Sequence, residues 1–207
     1  MASPIRKVAL TGGIASGKSL VGEYLRSKDI PVIDADDVVH RLLREDSDLK
    51  AKIRQEFGDA VFDPAGNVIR AKLGELVFKS VPRRKLLESW IHPKTRQRIE
   101  AFYVENHQAP LGVSIIPLLF ESHLEDRYDE VWLLETDEAT QMARLQGSRG
   151  MTEFDAMARI RNQMPMTDKL ERARQCPCSA VIRNSGSPDD LFSQLNALLS
   201  RITDRPA

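Results

Sequence analysis

The residues with the clearest chemistry are 12–19, which read Gly-Gly-Ile-Ala-Ser-Gly-Lys-Ser and match the phosphate-binding pattern G-x-x-x-x-G-K-[ST] in full. The glycines allow tight turns, so that backbone N–H groups can point at phosphate oxygens. Lys18 adds a mobile positive charge for the terminal phosphates, and Ser19 can offer its hydroxyl to Mg²⁺. The alternative is a glycine turn that merely joins a strand to a helix. The motif is matched in full and lies between an apolar run and a helix-like pattern, and this context favours a nucleoside triphosphate site.

Two aspartates, Asp34 and Asp36, follow the apolar run at residues 30–33. Ligands of parallel sheets gather at the carboxyl ends of the strands, so both aspartates should lie near the edge that carries the loop. We expect only one of the two to face the site directly. A carboxylate there can accept a proton from an attacking hydroxyl or help hold Mg²⁺ through water. The alternative is a turn former or helix cap; we assign the chemistry to Asp36.

The apolar run at residues 113–116 leads into Pro117-Leu118-Leu119-Phe120-Glu121, and no aspartate ends it. Water-activating nucleotide hydrolases often carry an aspartate at the end of such a strand. Its absence from this sequence disfavours a motor or switch protein. A small kinase needs fewer metal ligands of its own, because Mg²⁺ keeps several waters and binds substrate phosphates.

The segment from Asp137 to Ala173 is helix-like, rich in arginine, and interrupted by glycine and proline. Guanidinium groups match the negative charge that phosphoryl transfer spreads over the moving group. A mobile segment that brings arginines over the phosphates also excludes water. Most of these arginines fit an ordinary solvated helix face. We assign only Arg144 to the phosphates.

Composition narrows the class of protein. The chain has 207 residues, with 30 basic and 30 acidic side chains, and this balance does not suggest a nucleic-acid or membrane-surface protein. No apolar stretch approaches the roughly 20 residues that a membrane span needs, and no signal-peptide pattern is present. Cys176 and Cys178 flank Pro177 and form neither a disulfide framework nor a convincing zinc motif. We expect a cytoplasmic enzyme with small-molecule partners, as a monomer or small homo-oligomer.

The order of apolar runs and helical patterns predicts an α/β fold with a parallel sheet. The predicted strands are 5–11, 30–34, 112–121 with its exit, 130–135 and 180–182; the predicted helices include 17–28 and 188–201. Between them, residues 37–108 show apolar residues at helical spacing and a turn at 63–67, which indicates a helical insertion. Pro93, after the lone His92, suits the start of a helix.

The chain resembles the dephospho-coenzyme A kinase family through blocks that follow one another over nearly its whole length. These blocks are Ala9 to Ser19, Val32-Ile33-Asp34-Ala35-Asp36 with His40, Ile91-His92-Pro93, Pro117 to Glu121, Gln141-x-x-Arg144-Leu145, Arg159-Ile160-x-x-Gln163 and Ile182-x-Asn184-x-Gly186. A phosphate loop alone is generic, whereas this order of blocks is specific. Leu20 departs from the pattern, since the family commonly has threonine there.

The resemblance implies transfer of the ATP γ-phosphate to the ribose 3′-hydroxyl of dephospho-coenzyme A, with Mg²⁺. It also implies the fold of P-loop nucleoside triphosphate hydrolases: a five-stranded parallel sheet flanked by helices. In this division the nucleotide-binding core is 1–37, 110–137 and 176–207, the helical acceptor-binding region is 38–109, and the lid is 138–175. The open alternatives are another small-molecule kinase, for a nucleotide, nucleoside or shikimate-like alcohol, and a slowly hydrolysing regulatory switch.

The resemblance also assigns residues to roles. Lys18, Asp36 and Arg144 are the expected catalytic residues, and Ser19 is the expected metal contact. The expected ATP contacts are Gly12, Gly13, Ile14, Ala15, Ser16, Gly17, Lys18, Ser19, Leu20, Arg144, Asn184 and Gly186. The expected contacts of the acceptor are Thr11, Asp36, His92, Pro117, Leu118, Leu119 and Glu121.

Overall fold

The protein is described by a computed structural model, which covers residues 4–203 apart from the side chains of Arg149 and Thr203. The strands in this range are β1 (Arg6–Gly12), β2 (Val32–Asp34), β3 (Leu111–Ile115), β4 (Glu130–Glu135) and β5 (Ser179–Arg183). The α-helices are α1 (Lys18–Arg26), α2 (Ala35–Glu45), α3 (Ser47–Phe57), α4 (Arg70–Phe78), α5 (Val81–Glu105), α6 (Glu138–Arg149), α7 (Glu153–Arg161), α8 (Met166–Gln175) and α9 (Pro188–Thr203). Short 3₁₀ helices span Asp59–Val61 and Glu125–Arg127.

The strands form one five-stranded sheet in the order β2-β3-β1-β4-β5. Strand β1 pairs in parallel with β3 and with β4, and β4 pairs in parallel with β5. Parallel neighbours need crossover connections, and the helices of this chain supply them. The predicted α/β class with a parallel sheet is therefore confirmed, and strand β4 coincides with its predicted bounds.

The sheet is buried on the face that α1 and α9 cover. Strand β3 is buried along its whole length, as expected for an inner strand with both faces covered. On the α1 and α9 side, Tyr24 stacks on Phe192 with ring centroids 4.2 Å apart. The core cluster on this side contains Val8, Leu10, Val21, Leu25, Leu111, Val113, Ile115, Trp132, Leu134, Ile182, Leu191, Leu195 and Leu198. Burial of each such side chain contributes about 1.5–3 kcal/mol, which holds β1 and α1 in place at either end of the phosphate loop.

The chain divides into two compact units, one made of residues up to Ile33 and from Tyr103 onward, the other of Asp34–Phe102. We call them the sheet unit and the helical unit. The helical unit has its own apolar cluster: Leu43, Leu49, Ile53, Phe57, Val61, Phe62, Leu73, Leu87 and Ile91. Its predicted turn is confirmed, because Gly66 N–H donates to the Asp63 carbonyl at 2.9 Å and Asn67 N–H to Asp63 Oδ1 at 2.7 Å.

Pro93 does not start a helix, contrary to the sequence-based prediction, but lies inside α5. Proline in a helix interior removes one backbone hydrogen bond and strains the preceding turn. Buried apolar residues on both sides of it, Leu87 and Ile91 before and Ile99 after, keep the helix continuous. Packing of this helix outweighs the local preference of one proline.

The two aspartates do not lie in one extended segment, contrary to the sequence-based expectation. Strand β2 ends at Asp34 and α2 begins at Ala35, so Asp36 lies in the first turn of a helix. The Asp34 side chain caps that helix by accepting the Asp36 N–H at 2.8 Å. The helix-cap alternative is thus the observed role of Asp34.

The remaining differences are at strand ends. Strand β2 starts at Val32 rather than Ile30, and β3 ends at Ile115, so Ile116 and the segment that follows are its exit.

Among residues 4–203, none of the helices has the length and the apolar composition that crossing a membrane would require.

Candidate active site

The phosphate loop, residues 12–19, starts at the end of β1 and runs into the first turn of α1. Gly17 precedes α1 with a φ of 96°, a left-handed conformation that glycine adopts without strain. Within residues 4–203, the start of α1 has neither a side-chain cap nor an acidic residue in its first turn. The positive end of the helix dipole therefore favours an external anion at this loop.

Two loop glycines are closely covered by carboxamide groups. A Cβ atom at Gly13 would collide with the Gln141 side-chain nitrogen, and one at Gly17 with the Asn184 side-chain nitrogen. Close approach therefore favours glycine at both positions, and backbone conformation favours it at Gly17 as well. Ser16, between them, is fully buried, and its carbonyl accepts the Asn184 Nδ2–H at 2.7 Å.

The Lys18 ammonium lies over its own loop. Its Nζ donates to the carbonyls of Gly12 at 2.9 Å and Gly13 at 2.8 Å, and it lies 3.5 Å from Ser16 Oγ. These acceptors are neutral, whereas a phosphate oxygen is charged and forms a stronger hydrogen bond with an ammonium group. Lys18 is therefore placed where terminal phosphates would draw it away from the loop carbonyls.

Arg144, in α6, contacts both the phosphate loop and the end of β5. Its Nη1 donates to the Ala15 carbonyl at 3.1 Å. Its Nη2 donates to the Asn184 carbonyl at 3.2 Å and lies 3.4 Å from Asn184 Oδ1. Three residues that the sequence assigns to ATP, far apart along the chain, are thus brought together.

The start of α6 is fixed by Asp137, which follows β4. Its carboxylate accepts the Thr140 N–H at 2.7 Å and the Thr140 hydroxyl at 2.8 Å, and its own N–H donates to Ser185 Oγ at 3.3 Å. Hydrogen bonds from Ser185 and Thr140 lower the pKa of Asp137 to about 2. The cap stays ionised at neutral pH and anchors the helix that carries Arg144.

Sequence reasoning missed the contacts of two glutamines with the loop. Gln141 Nε2 donates to the Ile14 carbonyl at 2.8 Å, and Gln163 Oε1 accepts the Ile14 N–H at 2.6 Å. Both residues belong to blocks of the family resemblance, which was the only sequence signal for them. Thr136 was also missed; its hydroxyl lies 3.3 Å from the Ser16 carbonyl.

A cavity of about 600 Å³ lies beside Gly13, between the ends of β4 and β5 and the start of α8. Gln141 and Gln163 form its wall toward the loop. The rest of its lining is Glu135, Thr136, Asp137, Glu138, Ile160, Met164, Pro165, Met166, Thr167, Lys169, Arg183 and Ser185.

The segment Pro117–Glu121 leaves the end of β3 next to β1. Thr11 is buried at the end of β1, with its hydroxyl 3.5 Å from the Pro117 carbonyl. Leu118 is 45% exposed, whereas Leu119 is fully buried. Of these two leucines, the structure therefore presents Leu118 to the surface and packs Leu119 in the core.

Glu121 holds the beginning of α8 against this segment. Its Oε1 accepts the Lys169 Nζ–H at 2.8 Å and the Met164 N–H at 3.0 Å. Burial raises the pKa of the Glu121 carboxyl, but the Lys169 ammonium and the backbone N–H groups outweigh burial and the pKa is lowered. Lys169 is only 1% exposed, so this carboxylate compensates a buried positive charge.

The helical unit contains a second pocket, of about 300 Å³, with Asp36 on its lining. Polar groups reach it from His40, one turn after Asp36 in α2, and from Arg70 at the start of α4. Its other lining residues are Val39, Leu43, Leu73, Gly74, Val77, Leu87 and Ile91. Asp34 caps α2. Burial and the neighbouring carboxylates raise its pKa, and they outweigh the hydrogen bond from Asp36 N–H, which lowers it.

The other assigned residues are placed as follows. Ser19 and Leu20 are exposed in the first turn of α1. Gly186 lies in the turn between β5 and α9, where an added Cβ would be 3.1 Å from Asp190 Oδ2. His92 is exposed in α5, directly after Ile91 of the pocket lining. Asp36 and His92 belong to the helical unit, and every other assigned residue belongs to the sheet unit.

Metal ligands are few in the part of the chain that the structure describes. No group of three or more His, Cys, Asp or Glu side chains there is arranged to hold a metal ion. Cys176 and Cys178 are free thiols, and burial raises the pKa of Cys176. The exposed Ser19 hydroxyl at the start of α1 stays the predicted metal contact.

Comparisons with known proteins point to one family of enzymes. The family described as dephospho-CoA kinase (CoaE) matches residues 6–190. The dephospho-CoA kinase of Shouchella clausii is 38% identical over 197 residues, which is 94% of this chain and 98% of that protein. The structure of TT1252 from Thermus thermophilus superposes with a TM-score of 0.82 at 34% identity, covering 96% of this chain and 98% of the other.

A second solved structure, dephospho-CoA kinase from Campylobacter jejuni, has a TM-score of 0.66 and 25% identity, covering 95% of this chain and 96% of the other. The sheet order, the phosphate loop and the helices around it give the chain a P-loop kinase fold. The family match spans both compact units and the whole α6–α8 segment. The chain belongs to the dephospho-CoA kinase family.

Proposed function

We propose that the protein transfers the γ-phosphate of ATP to the ribose 3′-hydroxyl of dephospho-coenzyme A, which gives coenzyme A and ADP in the last step of coenzyme A biosynthesis. The family match over residues 6–190 supports this reaction. The observation that carries it is the position of the Arg144 guanidinium, which donates to the Ala15 carbonyl of the phosphate loop and to the Asn184 carbonyl, and so supports a role at the donor phosphates.

The donor half of the reaction rests on the sheet unit. Phosphoryl transfer has a loose transition state, so positioning and charge neutralisation dominate. Lys18 and Arg144 neutralise the phosphate oxygens, and the loop N–H groups and the start of α1 hold them in line. Ser19 would hold Mg²⁺ through its hydroxyl, and the ion would supply positive charge to the triphosphate oxygens.

The acceptor half rests on Asp36, which takes or orients the proton of the 3′-hydroxyl. Asp36 lines the pocket of the helical unit. In dephospho-coenzyme A, adenine is attached to the same ribose ring as the 3′-hydroxyl, whereas the pantetheine arm lies beyond the diphosphate. We therefore propose that, with the 3′-hydroxyl at Asp36, adenine lies against the apolar lining of this pocket.

Gly74 offers a direct test of this placement. It lies on the pocket lining in α4, and a Cβ there would meet open space. Gly74→Phe fills the pocket, and we expect the KM for dephospho-coenzyme A to rise about tenfold, which corresponds to roughly 1.4 kcal/mol. Gly147→Phe in α6, where a Cβ also meets open space, is the matched control. A rise in the KM for ATP alone would contradict the placement.

The proposed division of labour follows the family resemblance. Residues 1–37, 110–137 and 176–207 form the nucleotide-binding core, 38–109 the acceptor-binding region, and 138–175 the lid. Thr11, His92, Leu119 and the exposed Leu118 belong to the acceptor side, as do Pro117 and Glu121. Contacts of Gln141, Arg144 and Gln163 with the loop support a lid that closes over the phosphates. A cytoplasmic location, and a monomer or small homo-oligomer without nucleic-acid partners, complete the proposal.

An acceptor panel tests the function. The protein is incubated with ATP, Mg²⁺ and one alcohol at a time: dephospho-coenzyme A, a nucleoside, a nucleoside monophosphate or shikimate. We expect ADP release that depends on dephospho-coenzyme A. Turnover with another alcohol would support a different small-molecule kinase, and phosphate release that ignores every acceptor would support a regulatory switch.

A further inference from the structure

Both polar backbone groups of Ile14 are bound by side chains of the α6–α8 segment. Gln163 Oε1 accepts the Ile14 N–H at 2.6 Å, and Gln141 Nε2 donates to the Ile14 carbonyl at 2.8 Å. Ile14 itself is half-buried in the phosphate loop, 149 positions from Gln163 along the chain. The two carboxamides thus hold the loop backbone at this residue from both of its polar groups.

The residue after Gln163 is held by a different part of the sheet unit. Met164 N–H donates to Glu121 Oε1 at 3.0 Å. The same oxygen binds Lys169 at 2.8 Å, and Lys169 is 1% exposed. Glu121 is therefore fixed by a buried ion pair, and it ends the Pro117–Glu121 segment that leaves β3.

Consecutive Cα atoms are about 3.8 Å apart, so Gln163 and Met164 move together. One of them contacts the phosphate loop, and the other contacts the Pro117–Glu121 segment. Two hydrogen bonds and one peptide unit thus join Ile14 to Glu121. These two residues follow the ends of neighbouring strands, β1 and β3, which pair in parallel.

We propose that Gln163 and Met164 couple the two substrate sides, so that binding of the acceptor strengthens binding of the nucleotide. This inference rests on the proposed function, in which the Pro117–Glu121 segment contacts the acceptor. Gln163 is a positioning residue in this scheme, because it acts on the phosphates through Ile14. Contact of the acceptor with the Pro117–Glu121 segment strengthens the Glu121–Met164 hydrogen bond and, through it, the Gln163–Ile14 contact, so the nucleotide meets a loop that is held more firmly.

The expected size of the coupling follows from one hydrogen bond. A neutral hydrogen bond in a protein changes an equilibrium about five-fold. Coupling between two ligands is reciprocal, so each should raise the affinity of the other by the same factor. We therefore expect about five-fold tighter binding of either ligand when the other is bound.

Calorimetry on the whole protein tests the coupling. A non-hydrolysable ATP analogue with Mg²⁺ is titrated with and without saturating dephospho-coenzyme A, and then in the reverse order. The variants are Gln163→Ala and the similarly sized Gln163→Met, which keeps the volume and removes the acceptor oxygen. Gln146→Ala, an exposed glutamine of α6, is the matched control. Thermal unfolding of each variant confirms the fold.

The wild type and Gln146→Ala should show the five-fold factor, and both Gln163 variants should lose it while still binding each ligand singly. A wild type without linkage, or Gln163 variants that keep it, would overturn the coupling. Failure of the proposed function looks different, since the wild type would then make no coenzyme A from ATP and dephospho-coenzyme A. A wild type that makes coenzyme A with no linkage overturns only the present inference.

Discussion

Arg144 binds the backbone of Asn184 through Nη2 at 3.2 Å, while its Nη1 binds the Ala15 carbonyl at 3.1 Å. Asn184 in turn donates to the Ser16 carbonyl at 2.7 Å. The end of β5, the phosphate loop and α6 are thus tied together by one guanidinium and one carboxamide. Within this network, Arg144 supplies the positive charge that can bind a phosphate group.

Replacing Arg144 by alanine should lower turnover by two or more orders of magnitude. A lost transition-state contact of this kind costs about 3 kcal/mol, because the charge that develops on the phosphates is no longer neutralised. Steady-state kcat with saturating ATP and dephospho-coenzyme A measures the effect. Arg174→Ala, at the exposed end of α8, should keep wild-type turnover. Unchanged turnover in Arg144→Ala would remove Arg144 from the reaction.

Lys18→Ala should also reduce kcat by two or more orders of magnitude, on the scale of about 3 kcal/mol. Its ammonium lies over the loop, 2.8 Å from the Gly13 carbonyl, and no neutral side chain can replace its charge. The measurement is the initial rate of ADP formation. Lys28→Ala, which removes an exposed lysine after α1, is the control. A Lys18→Ala enzyme within ten-fold of wild type would refute this role.

Asp36→Asn tests the assigned base. The two side chains are nearly isosteric, so the variant should fold and bind dephospho-coenzyme A while the chemical step slows. Loss of general-base assistance typically costs 10²–10⁴-fold. Single-turnover transfer with saturating acceptor isolates that step. Asp37→Asn, the exposed neighbour in the same helical turn, should behave as wild type. Wild-type speed in Asp36→Asn would exclude the base role.

Glu121→Gln should destabilise the fold by about 3 kcal/mol at pH 7, because it leaves the buried Lys169 charge uncompensated. The pKa of Glu121 is lowered in the folded state, so its contribution is complete above its ordinary value of 4.5 and is lost as the pH falls through the folded pKa. Urea unfolding at pH 7 and at acid pH measures the difference between wild type and variant.

That difference in the free energy of unfolding should shrink as the pH falls below 4.5. Glu171→Gln, an exposed carboxylate on α8, provides the control. A Glu121→Gln difference that stays constant from neutral to acid pH would show that the ion pair does not carry the stability.

Local patterns along the chain predict the scaffold of this protein well. Apolar runs predict all five strands, and Glu130–Glu135 has the same bounds in the structure. The loop between β1 and α1 follows from its glycines and from Lys18. These features depend on neighbouring residues, which the sequence shows directly.

Other features depend on packing between residues that are far apart in the chain, and local sequence patterns do not predict them. Pro93 stays within α5 because buried residues on both sides hold the helix. Gln163 reaches Ile14 from 149 positions away, and no local pattern reports that contact. Asp34 caps α2 because that helix begins at Ala35, between the two aspartates, and the sequence alone did not show which of the two would be the cap.

The most direct test of the account is the identity of the product. Wild-type protein is mixed with ATP, Mg²⁺ and dephospho-coenzyme A, and the nucleotides are separated and analysed by mass spectrometry and phosphorus NMR. We predict ADP and coenzyme A in equal amounts, with the new phosphate on the ribose 3′-oxygen. ADP formed without coenzyme A, or a phosphate on any other oxygen, would contradict it.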